Sequence, residues 1–279
     1  MVIPIFPDAK VVERAIETSL LGRKLVLEMT SRAKASHVGS CLSVIDILAN
    51  LYSGSADISF ETADSAERDR IILSKGHAAA ALYSVLALKG FMSESSLSEY
   101  CLDGSPLSGH ATHKQNIGVE LSTGSLGHGL PYGAGIALGL KQQGNFVNRV
   151  FVIISDGECD EGTTWETALI AAQFRLDNLI VIIDRNRIQS LDDTEKTIAL
   201  EPLAEKWRAF NWDVVEVDGH DHNEMYSAFV VKSAKPKCII ANTTKGKGIS
   251  FMENSVLWHY KSPSEDELAE SILELENNA

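Results

Sequence analysis

Two short segments carry the residues best suited to chemistry: Ser155-Asp-Gly-Glu-Cys-Asp-Glu-Gly162 and, about thirty residues after its aspartate, Asp184-Arg-Asn-Arg-Ile-Gln189. Each follows an apolar run. Asp156 offers a carboxylate and Asn186 a carboxamide oxygen; with a backbone carbonyl they make the all-oxygen shell that Mg²⁺ accepts when it also holds phosphate oxygens. Gly157 leaves the backbone bare, and a helix starting just beyond it presents N–H groups to an anion. Asp-Gly by itself is an ordinary turn. The spacing of the two segments is what points to a clamp for a metal and a diphosphate.

Positioning such a clamp requires a βαβ unit. Arg149 to Ile154 reads as a buried parallel strand, residues Thr163 to Phe174 as a helix, and Asn178 to Ile183 as a second buried strand. Both strand ends and the helix start then meet on one sheet edge. Further strands are expected at Arg70 to Leu73, Trp212 to Val217 and Lys237 to Ala241, and helices at 8 to 33, Ser43 to Tyr52, Ala78 to Leu88 and Ala134 to Leu140. The alternation predicts an α/β fold with a doubly wound, mostly parallel sheet and helices on both faces. Residues 1–279 are read as one domain, with 264–279 an acidic helical tail in which Leu268, Ile272 and Leu275 form a narrow apolar stripe.

Composition narrows the function classes. A net charge of −13 argues against nucleic acid and anionic membrane as partners, and no apolar run approaches a membrane span. The opening Met1-Val-Ile-Pro-Ile-Phe-Pro lacks the basic and long apolar regions of a secretory leader. Cys41, Cys101, Cys159 and Cys238 are scattered and form no CxxC, which predicts reduced thiols and a cytoplasmic setting. The acidic excess means that attraction of a phosphorylated ligand must come from local groups.

Five of the eight histidines (His37, His77, His110, His128 and His220) lie within two residues of a glycine, in loops flanking the expected strands. Singly, each reads as an ordinary hydrogen-bonded histidine, and His113 and His222 are left so. Together they occupy the kind of loops in which parallel sheets bind ligands. Their spacing matches no zinc pattern.

Across nearly its whole length the chain resembles the N-terminal part of transketolase. The motifs are Lys34-Ala-Ser-His-Val-Gly39, Leu73-Ser-Lys-Gly-His77, Ser108-Gly-His110, Thr123-Gly-Ser-Leu-Gly-His-Gly129, the clamp, Asp218-Gly-His220, and Thr244-Lys-Gly-Lys-Gly-Ile-Ser-Phe-Met-Glu-Asn254 with Trp258-His259. Ser155 stands where the family's clamp usually begins with Gly, and Lys75 and His128 also depart from common family residues.

The resemblance implies thiamine diphosphate with Mg²⁺ (Ca²⁺ or Mn²⁺ as substitutes) and transfer of a two-carbon ketol unit from a ketose to an aldose, either of them a sugar or sugar phosphate. It implies metal ligation by Asp156, Asn186 and the Ile188 carbonyl, and cofactor contacts from His77, Gly124, Leu126, Gly157, Glu158, Asn186 and His259. His37, His110 and His77 are implied as catalytic, with Glu161 linked to a glutamate of an opposing chain. The family's pyrimidine-binding domain is not encoded here, so the expectation is one subunit of a split enzyme, completed by a second polypeptide in an α₂β₂ assembly. The rival readings are half of a deoxyxylulose phosphate synthase or a 2-oxoacid dehydrogenase, or a non-catalytic cofactor-binding chain.

Overall fold

The computed structural model describes residues 7–277; Met1 to Phe6, within the stretch read above for a leader, and Asn278–Ala279 lie outside the described residues. Two helices open the chain, α1 (Ala9–Ala33) and α2 (Val38–Asn50). The Asp8 carboxylate starts α1 by accepting from the amides of Lys10 and Val11. Helix α2 begins at Val38 rather than at the expected Ser43, because His37 adopts the left-handed conformation (φ 75°) and turns the chain directly into the helix.

The remaining elements are β1 (Arg70–Leu73), α3 (Ala79–Leu88), α4 (Gly129–Gln142), β2 (Val150–Ser155), α5 (Gly162–Gln173), β3 (Leu179–Arg185), the short α6 (Thr194–Thr197), α7 (Leu203–Ala209), β4 (Asp213–Asp218), α8 (His222–Val230), β5 (Lys237–Asn242) and α9 (Glu265–Asn277). The expected strands are therefore found, with ends shifted by a residue or two. Helix α4 starts earlier than the predicted Ala134. Its glycines cost helix propensity but allow close packing: a Cβ on Gly133 would lie 2.4 Å from Val152 Cγ2. Helices α7 and α8 are too short for a clear periodic signal.

The strands form one sheet in the order β1-β2-β3-β5-β4, parallel at every pairing. Alternate strand residues feed two cores. Ile71, Leu73, Phe151, Ile153, Ile180 and Ile182 pack with α1, α2, α3 and α8 on one face. Ile72, Val150, Val152, Ile154, Val181 and Ile183 pack with α4, α5 and α7 on the other. Burial on both faces explains why the strands read as continuous apolar runs; each fully buried large aliphatic contributes about 1.5–3 kcal/mol.

Leu268, Ile272 and Leu275 of α9 join the first core, and Lys24 of α1 pairs with Glu276 at 2.9 Å. Because the sheet is parallel, the loops after β1, β2, β3 and β5 all leave from one edge.

Candidate active site

A buried carboxylate ties the loops after β1 and β2 to the loop that leads into α4. Glu158 accepts from the Ser74 hydroxyl, from the Gly127 amide at 2.9 Å and from the Ser155 amide at 3.1 Å, while the Ser155 hydroxyl accepts from the Glu158 amide at 3.2 Å. The last two bonds are a capping box on the 3-10 turn Asp156–Asp160. Glu158 is fully enclosed, so its side chain supports the loops and does not reach the cavity, contrary to the cofactor contact expected of it from the sequence. Close approach of two of those loops also depends on Gly76, where a Cβ would lie 2.4 Å from the Thr123 carbonyl oxygen.

Above that carboxylate the clamp residues line one wall of an open cavity of ≈ 240 Å³: Asp156, Gly157, Asn186 and Ile188. Asp156 accepts from the amides of Gly157 (2.9 Å) and Arg187 (2.7 Å) and from the Arg185 guanidinium (3.3 Å). Burial, reinforced by Asp184, raises its carboxyl pKa against the pull of Arg185. Arg185 is itself shared with Glu195 and Glu201. Asn186 Oδ1 accepts from the Ile188 amide at 3.1 Å.

Among the described residues no three His, Cys, Asp or Glu side chains converge as a metal site. A cation here would rest on one carboxylate plus neutral oxygens from Asn186 and the Ile188 carbonyl. That donor set fits a hard ion already carrying phosphate oxygens. The bare Gly157 backbone, where a Cβ would meet Gln189 at 3.4 Å, fits a diphosphate laid against it.

Four imidazoles face the clamp. His37 has ring centroids 5.2 Å from His77, 5.7 Å from His110 and 5.1 Å from His259. Burial, then the nearby His110, Lys245 and Lys75, lowers His37 to about 4. Burial and Lys245 lower His259 to about 3, and burial with Lys75 pushes His77 well below the usual range. All three are neutral at pH 7, each with one N–H donor and one lone pair. His110 is exposed at the mouth, on a loop whose carbonyl at that residue accepts from the hydroxyls of Tyr83 (3.2 Å) and Ser108 (2.7 Å). Gly124 lies against it, since a Cβ there would be 3.1 Å from His110 Cδ2.

Two lysines complete the walls. Lys75 is wholly buried and paired with Asp184, which also accepts from Ser43 (2.7 Å) and Thr243. Lys245 donates to the Ile188 carbonyl at 3.1 Å and to His259 Nδ1 at 2.8 Å, placing the His259 proton on Nε2. Burial, then repulsion from Lys75, lowers Lys245 to about 8.

Of the residues singled out in the sequence, His37, His77, His110, His259, Gly124, Leu126, Asp156, Gly157, Asn186 and Ile188 line this one cavity. Glu161 does not; it is exposed beside Gly127, where an added Cβ would lie 2.8 Å from the Glu161 Cβ. His128 is exposed and turned to the Leu126 carbonyl, and His220 lies behind the loop that carries Lys245. The sequence reading passed over Ser40, Gln189, Tyr260 and Lys245 as lining residues. A lysine between an apolar strand and a Gly-Lys-Gly turn was the available signal for Lys245.

Residues 13–276 match the family described as "Transketolase, thiamine diphosphate binding domain". The chain is 38% identical over 256 residues to one of the subunits of the apulose-4-phosphate transketolase of Phocaeicola vulgatus, covering 91% of this chain and 90% of that one. It is 40% identical to the 6-deoxy-6-sulfo-D-fructose transketolase subunit SqwG of a Clostridium species, covering 91% and 93%. The transketolase structure from Campylobacter jejuni superposes with a TM-score of 0.87 at 28% identity, covering 96% of this chain and 43% of that one. The chain thus spans under half the length of that solved transketolase but nearly all of the two single-subunit relatives. By its motifs, its fold and these likenesses, the chain belongs to the transketolase family, as a thiamine diphosphate-binding domain.

Proposed function

We propose that this chain is the diphosphate-binding subunit of a split transketolase, moving a two-carbon ketol unit from a ketose or ketose phosphate to an aldose or aldose phosphate. One observation carries the reading: Asp156, Asn186 and Ile188 share one cavity with four histidines on a chain with the span of the single-subunit relatives.

Asp156, Asn186 and the Ile188 carbonyl would hold Mg²⁺, while Gly157, His77, Lys245 and His259 would contact the diphosphate and Gly124 and Leu126 the pyrimidine. The bound cofactor supplies the carbon centre that carries the two-carbon unit. His37 and His110, one neutral and recessed and the other at the mouth, are set to donate to a sugar oxygen as charge develops on it. Each such donor is worth about 2–4 kcal/mol.

The partner is a second polypeptide bearing the remaining transketolase domains, in an α₂β₂ complex. Exposed apolar side chains support an interface: Leu191, Leu257 and Tyr260, and Leu169, Ile170 and Phe174 at α5 and its end. Glu161, exposed at the N-terminal end of α5, is the carboxylate that would meet the second chain. The four cysteines are free thiols, which supports a cytoplasmic setting; no helix among the described residues is long and apolar enough to cross a membrane.

The test is co-expression with a candidate second chain, followed by a ketol-transfer assay on xylulose 5-phosphate and ribose 5-phosphate. Activity that needs both chains, thiamine diphosphate and Mg²⁺ supports the reading. Transfer at normal enzymatic rates by this chain alone sinks the split-enzyme part of it.

A further inference from the structure

Behind the cavity wall a line of polar groups runs from α1 to the loop after β5. Arg23 of α1 grips Asp46 of α2 through both carboxylate oxygens, at 2.9 and 2.5 Å. Asp46 Oδ2 also lies 2.6 Å from His220 Nδ1. The other ring nitrogen, His220 Nε2, accepts from the Thr244 amide at 2.8 Å. Thr244 immediately precedes Lys245, whose ammonium reaches the Ile188 carbonyl and His259.

The donor pattern leaves the imidazole one state. A backbone amide can only donate, so Nε2 must carry a lone pair and the proton must sit on Nδ1, facing Asp46. Asp46 is 2% exposed. Burial pushes its carboxyl up, but Arg23 and the hydrogen bonds from His220 and His222 outweigh that and hold it well below the usual range, so it remains an acceptor. Any other protonation of His220 sets two donors face to face at Thr244 or leaves the Asp46 carboxylate facing a lone pair.

The geometry points to His220 as a positioning residue: its Nδ1–H tautomer, enforced by Asp46, fixes the Thr244 amide and thereby the placement of Lys245 at the clamp. His220 touches no part of the cavity itself. Elsewhere in the same loop, Thr243 N donates to the Arg185 carbonyl (3.1 Å), the Thr243 hydroxyl to Asp184, Gly246 N to the Gly39 carbonyl (3.0 Å) and Gly248 N to Glu253 Oε1 (3.1 Å). Immediately before Lys245, the Thr244 amide is held by a side-chain acceptor, and that makes this anchor separable by mutation. Its last step, from Lys245 to an anion, rests on the diphosphate reading of the cavity; the tautomer and the anchored amide do not.

Two substitutions divide the roles of the ring. His220→Gln places a carbonyl oxygen near Nε2 and keeps an acceptor for Thr244 while losing the donor to Asp46. His220→Asn places an amide nitrogen near Nδ1 and does the reverse. The measurements, on the full chain, are the ¹⁵N shifts of the His220 ring, hydrogen exchange at the Thr244 amide, and calorimetric binding of magnesium pyrophosphate. The expected result is a proton on Nδ1 in the native protein. Thr244 should keep its exchange protection in H220Q and lose it in H220N, and pyrophosphate binding should weaken about tenfold in H220N only, the worth of one lost hydrogen bond.

A native ring protonated on Nε2 overturns the proposal without any variant. So does protection or affinity that follows the Asp46 contact, retained in H220N and lost in H220Q, or lost equally in both. If the native chain fails to bind pyrophosphate, the diphosphate reading of the cavity falls, while ring shifts and amide exchange still decide the role of His220.

Discussion

The His37 amide donates to the His259 carbonyl at 2.7 Å, and the two rings meet edge-on with centroids 5.1 Å apart. The loop between the first two helices is thereby closed against the turn that precedes the last one. Both rings are partly buried beside Lys245, and their proton affinities fall as a result.

That fall has a pH signature. His37 in the folded chain takes up a proton only near pH 4, against 6.5 for the free side chain. Between those values the unfolded chain binds more protons, so stability rises with pH across the window and is lost on acidification from about 6.5 towards 4. His259 extends the loss to about 3. Urea midpoints measured through this range should fall more gently for His37→Asn than for the native chain; equal slopes would remove His37 from the account.

Asp156→Ala and His110→Ala should separate binding from turnover. Asp156 is the clamp's carboxylate, and its removal should weaken Mg²⁺-dependent thiamine diphosphate binding by calorimetry about tenfold or more, the equivalent of one charged hydrogen bond. His110 sits at the mouth, so its loss should spare that affinity and lower ketol transfer in the two-chain enzyme by about 2–4 kcal/mol of barrier. Loss of cofactor binding in both variants would contradict the separate roles.

Glycines at two places should respond in opposite ways to a methyl group. At Gly76 the added Cβ would meet the Thr123 carbonyl oxygen at 2.4 Å, whereas at Gly135 on α4 nothing lies within 4 Å. Gly76→Ala should destabilise by about 1–3 kcal/mol, as overpacking does. Gly135→Ala should stabilise by about 0.5–1 kcal/mol through helix propensity. Denaturant melts of the isolated chain read both.

Lys75 and Asp184 form an ion pair with neither side chain exposed. Lys75→Met leaves an unpaired buried carboxylate and should cost about 3–5 kcal/mol. Adding Asp184→Leu removes that charge, so the double variant should be more stable than Lys75→Met alone. A double variant that is weaker still would mean that the Ser43 and Thr243 bonds to Asp184 outweigh the charge pairing.

Sequence patterning carried the fold far because each strand of the central pair is buried on both faces: Val150 to Ile154 and Leu179 to Ile183 are continuous apolar runs that end at the clamp residues. Asp156 and Asn186 were legible for the same reason, since each follows a strand end and adjacent parallel strands bring such ends together. Glu158 was misjudged because a carboxylate's direction depends on its capping bonds, and those turn it inward to Ser74 and Gly127 while its close neighbour Glu161 points outward. His220 looked like the other glycine-flanked histidines; its partners Asp46 and Thr244 lie on elements distant in sequence, where no local pattern reaches.

The place of β5 has a consequence for synthesis on the ribosome. It lies between β3 and β4 yet is made after both. Until residues 237–242 emerge, one edge of β3 (Leu-Ile-Val-Ile-Ile-Asp-Arg) and the partner-less β4 present unpaired backbone groups to other nascent chains. While those edges stay unpaired the nascent chain is open to edge-to-edge aggregation, and a chaperone shielding the β3 edge during that interval would raise its yield.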